Sequence, residues 1–405
     1  MPRFRVPLLI LVLVLFTTSA AEAKRRSARA PGGTTFAAYP LHSVGLVADT
    51  SDLEPLDDLV RSASIVGLGD ATHGTHELYT LRLRMIDYLV RRHGFTALSI
   101  EMPFPIGERI DAYVQGGPGD PRALLRELND RLLYFFWNTE EVLAVIEWVR
   151  DYNAHRGDRP AVHIAGSDIY DEKGGVEGVL AYLRSVDPAA AAEAQREYAC
   201  ILAGTRNGVC QMAAQRVRDA LAARHDGTPA YDDALHHADI VLQFFHAPVF
   251  EPRERSMAAN LIWVRDHRGG RVMHWGHQEH VGKLDSRFAN GISMGKVLAQ
   301  QLGDEYVAIG TLTGSGTFLQ WQQLSPGIFT EAPHALPDPE EGMYEWHFRQ
   351  RGLSAMLVPL RRPVPGTRFR TAGTLNGYSR VQQPLHEKLD AVIYVDRTTP
   401  TRPLR

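Results

Sequence analysis

The sequence predicts an α/β fold: a mostly parallel sheet flanked by helices on both faces, carrying a helical insertion. Three observations lead there. Short apolar, β-branched runs recur at residues 63–69, 96–101, 161–166, 272–275, 306–312 and 391–395. Helical patterns lie between most of them, and strands that alternate with helices build parallel sheets. The first two runs each deliver a carboxylate, Asp70 and Glu101, so one βαβ unit brings titratable groups to the strand carboxyl ends. Open α/β sheets hold their sites at that edge, which points to an enzyme rather than a scaffold.

The chain opens on a different pattern. Arg3 and Arg5 precede an apolar run over residues 6–16, and Ala21-Glu22-Ala23 offers small residues for cleavage. These are the three parts of a secretory signal peptide. Residues 1–23 are thus expected to be removed, residues 24–34 to form a mobile basic tail, and residues 35–405 to form a single domain, for which the length suffices. Loss of Arg3, Arg5 and Glu22 takes the formal charge from −3 to −4. That balance favours neither nucleic acid nor an anionic membrane surface as partner.

The first strand run leads through the turn Asp70-Ala-Thr-His73-Gly74 into a helix with the stripe Leu78, Leu81, Met85, Ile86 and Leu89. Arg82 lies inside that stripe. A buried arginine needs a partner, so Arg82 is expected to pair with Asp70 or Glu101 rather than to snorkel at a domain edge. A helix over residues 139–153 starts at Asn138 or Thr139, with Glu140 and Glu141 in its first turn, and leads to the strand that ends in Ser167-Asp168. Residues 187–247 break the rhythm. They are rich in Ala and Arg, lack a strand run and read as an inserted pair of helices, suited to a lid or to surface decoration. Cys200 and Cys210 both fall there, and an oxidising compartment would join them. After residue 328 come Pro333, Pro337 and Pro339, then a β-rich end.

His73 is the candidate general base, because imidazole titrates near neutrality and a neighbouring carboxylate would orient it. Glu77 suits a helix N-terminus, and its plain structural role is sufficient. The second cluster is Val272-Met-His-Trp-Gly-His-Gln-Glu-His-Val281, in which His277 and His280 stand three residues apart on one face of a helical turn. It lacks the spacing of the His-Glu-x-x-His zinc motif. With Asp70, His73 and Glu101 it still offers enough nitrogen and oxygen donors for a metal, so direct acid–base chemistry and metal ligation both stay open. Two motifs mislead. Gly291-Ile-Ser-Met-Gly295 matches a nucleophile elbow, but the polar residues 284–290 are no strand. The Gly- and Thr-rich residues 310–316 lack the lysine of a phosphate loop.

Taken together, Gly69-Asp-Ala-Thr-His-Gly-Thr-His-Glu77, Arg82 nine residues after His73, and Glu101 resemble the erythromycin esterase family. The resemblance continues through Phe136-Trp-Asn-Thr-Glu-Glu-Val142, Arg253-Glu-Arg-Ser-Met-Ala-Ala-Asn260, Glu340-Glu-Gly-Met-Tyr-Glu345 and Asp390-Ala-Val-Ile-Tyr394. It implies a hydrolase of ester bonds, macrolide lactones among them, with His73 activating water. It further implies that Asp70, Glu101, Arg82, His277 and His280 complete the site. The family usually has glutamate at Asp70 and asparagine at Gln278.

The expected protein is therefore an exported, periplasmic or secreted hydrolase of a carboxylic ester or lactone. His73 would be the base and Glu101 its orienting carboxylate, with Arg82 and one of His277 or His280 stabilising the oxyanion or protonating the alkoxide. Its partner would be a small-molecule ester or lactone, with no membrane association after signal cleavage and no cofactor. The alternative is a periplasmic metal- or haem-binding protein of related fold that uses the same histidines as ligands.

Overall fold

The computed structural model describes residues 36–405 apart from 133, 247–248, 288–290, 327 and 376. The signal peptide expected at residues 1–23 and the basic tail expected at residues 24–34 lie outside the described residues. Eleven strands are present among those described: β1 (Tyr39–Pro40), β2 (Ile65–Asp70), β3 (Ala97–Pro103), β4 (His163–Asp168), β5 (Val272–His277), β6 (Tyr306–Ser325), β7 (Ile328–Leu336), β8 (Ala355–Pro359), β9 (Phe369–Thr371), β10 (Ser379–Val381) and β11 (Ala391–Thr398). The main sheet runs β1-β8-β11-β6-β2-β5-β3-β4. From β11 to β4 its strands are parallel, while β8 and β1 extend it antiparallel at one edge.

Side chains alternate between two apolar cores. Val66 and Leu68 of β2, Leu98 and Ile100 of β3, and Met273 and Trp275 of β5 face one core, covered by the His76–His93 and Glu140–His155 helices. Ile65, Ala97 and Val272 face the other, covered by the Phe250–His267 and Met294–Leu302 helices. A sheet buried on both faces explains why its strands read as continuous apolar runs. All six strands expected from the sequence are present, β6 being much longer than its apolar run.

Register sets the site. Asp70 of β2 stands opposite His277 of β5, Ile100 of β3 opposite Trp275, and Pro103 opposite Asp168 of β4. The carboxyl ends of four adjacent strands are therefore level. Thr139 caps the Glu140–His155 helix, its side chain accepting from the Val142 amide at 3.2 Å, as its place before two glutamates suggested.

Two regions differ from expectation. Among the described residues of 187–247 there are four α-helices instead of two helices: Pro188–Glu197, Ala199–Leu202, Gly208–Ala222 and Pro229–Gln243. Asp187, Asn207 and Thr228 each cap a new helix, which divides a uniformly Ala-rich segment. These helices share a core with the preceding Glu172–Val186 helix, through Val179, Tyr198, Ala214 and Leu221 among others. Cys200 and Cys210 are disulfide-bonded, with Cα atoms 6.0 Å apart. The second difference is β7, which pairs with β6 as an antiparallel arm reaching past the sheet. Pro333 hides it in the sequence, yet an outer strand tolerates proline.

The turn after β2 depends on Gly74, which has φ 76° and sits where a Cβ would lie 2.2 Å from the Leu319 carbonyl oxygen of β6. Its own carbonyl accepts from the Leu319 amide at 2.8 Å, which ties the His73 turn to the arm. Gly74→Ala should lower stability by about 1–3 kcal/mol through backbone strain. Urea denaturation checks this: the midpoint should fall with an unchanged slope, whereas an unchanged midpoint would show that the turn relaxes freely.

Candidate active site

Glu101, the residue after Ile100 on β3, is 4% exposed and surrounded by donors. The His277 backbone N–H donates to its Oε2 at 2.7 Å. Its Oε1 faces His280 Nε2 at 3.3 Å and Arg253 Nη2 at 3.6 Å. Its backbone carbonyl accepts from Trp137 Nε1 at 2.7 Å. Gly276 leaves room for the carboxylate, since a Cβ there would stand 2.9 Å from Oε2. Burial alone would push the Glu101 carboxyl up, but His280, His73 and Arg253 outweigh it and hold the group well below the usual range.

His73 faces the same carboxylate, with Nε2 3.9 Å from Oε2. Its ring stacks on Phe136 at 4.3 Å and lies 4.9 Å from the His277 ring. Nδ1 is buried and has no hydrogen-bond partner. Burial, helped by His277, depresses its pKa to about 3 against the pull of Glu101, so the ring is neutral. A proton on Nε2, toward Glu101, leaves Nδ1 as a bare acceptor.

The two histidines of the second cluster have opposite states. His277 Nε2 lies 3.1 Å from the Ala372 carbonyl and 3.2 Å from Thr371 Oγ1, and its Nδ1 accepts from the Glu279 amide. Burial depresses its pKa to about 4. His280 instead sets Nδ1 2.6 Å from Glu254 Oε1, while Nε2 faces Glu101. Burial opposes charge there, but Glu254 and Glu101 prevail and raise its pKa to about 10.

Arg253 and Asp168 complete the charged layer. Arg253 Nε donates to Asp168 Oδ1 at 2.9 Å, and Nη2 donates to the other carboxylate oxygen. Tyr134 donates its hydroxyl to Asp168 Oδ2 at 2.7 Å.

Three comparisons with known proteins bear on this arrangement. The family model for erythromycin esterase matches residues 90–398. The chain belongs to the erythromycin esterase family. A Bacillus subtilis protein named putative hydrolase YbfO is 24% identical over 98% of both chains. Erythromycin esterase type II of Escherichia coli is 23% identical over 76% of this chain and 84% of its own. Among solved structures, a mutant erythromycin esterase in its open conformation superposes with a TM-score of 0.72 at 19% identity, covering 91% of this chain and 99% of that one. A succinoglycan biosynthesis protein superposes at 0.79 with 23% identity, covering 91% and 96%. Family and fold together support a hydrolase-like protein, as the sequence resemblance implied.

Within this family member, Glu101, His73, His277 and His280 converge as the sequence reading expected. Asp70, opposite His277 in the sheet, is instead committed to Arg82 in a dry pair. Asp70 accepts from Arg82 Nη2 and from Trp275 Nε1, each at 2.6 Å, and both members of the pair are fully buried. Of the two partners offered to Arg82, the structure selects Asp70. Of the other donors of Arg82, Nη1 reaches the Met85 sulfur at 3.6 Å and the buried Nε has no hydrogen-bond partner. The guanidinium beside Glu101 belongs to Arg253.

Arg253, Glu254 and Asp168 fall in stretches the sequence singles out, but no site role is read for them there. The usable signal was the one that exposed Arg82: Arg253, Met257, Asn260, Leu261 and Val264 form a helical stripe with charge inside it. Ser293, of the false nucleophile elbow, caps the Met294–Leu302 helix, and residues 310–316 remain within β6. A surface cavity of about 760 Å³ lies at the opposite, amino-terminal strand ends, lined by Glu108, Asp111, His163 and Arg268. Its Asp111 and Asp233 are paired with His163 and Arg268.

Two outcomes follow from these pairings. Arg82→Ala should cost about 3–5 kcal/mol in urea denaturation, because it leaves Asp70 buried without its cation; a loss under about 1 kcal/mol would show that the pair is not dry. His280 has a folded pKa of about 10 against about 6.5 unfolded, so its stabilisation is complete below pH 6.5 and is lost as pH rises toward 10. The urea midpoint should therefore fall steadily above pH 6.5, and a midpoint that rose from pH 7 to pH 9 would contradict a charged His280.

Proposed function

We propose that this protein is an exported hydrolase that cleaves a carboxylic ester or lactone with water activated by His73. The observation that carries the proposal is the state of that ring. It is neutral and stacked on Phe136, its Nδ1 is an unpartnered acceptor, and Glu101 faces its other nitrogen at 3.9 Å. Water placed at Nδ1 would give up a proton as its oxygen attacks the carbonyl carbon, and Glu101 would stabilise the imidazolium that forms. Arg253 and His280 bring positive charge toward the developing oxyanion in a water-poor site, where such charge is most effective. Asp70 and Arg82 would support the strand ends from below. The relatives named as erythromycin esterases make a lactone the natural candidate within the ester class. The signal-peptide pattern of residues 1–23 and the Cys200–Cys210 disulfide support export.

Metal or haem ligation by the same histidines finds less support. An imidazole ligates through an unprotonated nitrogen. His280 presents both of its nitrogens to carboxylates, and His277 engages both of its own with neighbouring groups.

The test is turnover. Purified protein lacking residues 1–23 should hydrolyse members of a panel of acyl esters and macrolide lactones. His73→Gln should lower kcat by at least ~10²-fold with little change in melting temperature. A folded His73→Gln protein with full activity would remove His73 from the reaction.

A further inference from the structure

Burial normally strips the proton from a histidine, and His73, His274 and His277 all follow that rule. His280 does not, although it is only 8% exposed and Arg253 Nη1 lies 3.5 Å from its Nε2. A guanidinium at that distance disfavours a second cation. The surrounding carboxylates reverse the balance. Glu254 lies 2.6 Å from Nδ1, Glu101 lies 3.3 Å from Nε2, and Asp168 engages the guanidinium of Arg253. Three carboxylates thus meet two cations, and the neutral His277 ring is the next neighbour, 6.4 Å away. Nδ1 donates to Glu254, and at Nε2 a proton directed to the nearer Glu101 oxygen competes with a bare nitrogen that would accept from Arg253 Nη1; with a carboxylate at each nitrogen the doubly protonated ring is favoured.

Glu254 is built to hold that state. It is fully buried near the start of the Phe250–His267 helix, and its second oxygen accepts from the Met294 amide at 2.8 Å. The carboxylate therefore cannot swing away from Nδ1 without giving up a buried hydrogen bond.

We propose that Glu254 is a positioning residue that keeps His280 an imidazolium, so that His280 is the acid protonating the leaving alkoxide. This rests on the ester-hydrolase reading above. Water attacks the carbonyl carbon while His73 Nδ1 takes one of its protons. The tetrahedral intermediate then collapses, the carbon–oxygen bond to the alcohol portion breaks with its electron pair on oxygen, and His280 Nε2 supplies that oxygen with a proton. Acid and alcohol leave, with His73 one proton richer and His280 one poorer. Glu101 faces both rings, one with each oxygen, and lies on the path that returns the proton. His277, tied to Ala372 and Thr371, keeps a neutral ring and takes no part in the transfer.

Two measurements on Glu254→Gln and the wild type test this. Nitrogen NMR of the imidazoles at pH 8 should show His280 protonated at both nitrogens in the wild type and at one in E254Q. A neutral His280 in the wild type overturns the proposal, whether or not the variant folds. The second readout compares kcat on an alkyl ester with kcat on the matching 4-nitrophenyl ester, whose leaving group needs no proton. E254Q should lower the alkyl-to-aryl ratio by at least ~10-fold, since only the alkyl reaction needs the acid. His280→Gln should lower the same ratio and replaces E254Q if that variant does not fold. Equal losses on both esters would reduce Glu254 to a structural residue. Wild-type protein inert toward both esters, with His280 charged in the wild type and neutral in E254Q, would refute the hydrolysis and leave the hold of Glu254 on the ring established.

Discussion

The site is organised by the Glu101 carboxylate. Each oxygen is committed: Oε2 to the His277 amide and the His73 ring, Oε1 to His280 and Arg253. A carboxylate buried this deeply stays ionised only among such donors, and they in turn are placed by the level carboxyl ends of four parallel strands. Gly276 lets the carboxylate lie against the β5 backbone, and Trp137 fixes the strand from the other side. Removal of the charge would release the His277 turn and the cation layer together.

That one anion also separates the two rings it touches. His73 meets it at 3.9 Å with nothing at its other nitrogen, and burial wins, leaving a neutral ring. His280 meets it at 3.3 Å with Glu254 at its other nitrogen, and the carboxylates win, leaving a cation. Two identical side chains around one carboxylate thus acquire the states of a base and an acid. The aromatic cover adds to this. Phe136 stacks on His73, Phe135 packs edge-on against Phe136, and Trp321 of the β6–β7 arm stacks on Phe135, keeping the ring out of bulk water.

Much of this was legible in the sequence, for physical reasons. Strands buried on both faces read as apolar runs, so all six central strands stood out. Asp70, His73 and Glu101 were visible because they follow such runs directly. Arg82 was visible as a charge within an apolar stripe, and its pairing with Asp70 was one of the two outcomes foreseen. Arg253 and Glu254 are harder to read, because the stripe that holds Arg253 shares the Phe250–His267 helix with exposed charged residues such as Glu251 and Arg255. A buried cluster there has the same composition as a solvated face. Asp168 ended a recognised strand, yet nothing local to it announces an arginine 85 residues away. The arm was hidden by Pro333, and the four α-helices described in residues 187–247 by a composition that changes little across their caps. Local pattern thus reported the strands and their ends, while the cation layer depends on contacts between distant segments.

The account rests on Glu101 as an ionised carboxylate between a neutral His73 and a doubly protonated His280. Neutron diffraction from crystals of the protein lacking residues 1–23, grown at neutral pD, reads those protonation states directly. The account predicts deuterium on both nitrogens of His280, on Nε2 alone of His73, and on neither oxygen of Glu101. Deuterium on a Glu101 oxygen, or on both nitrogens of His73, would contradict it.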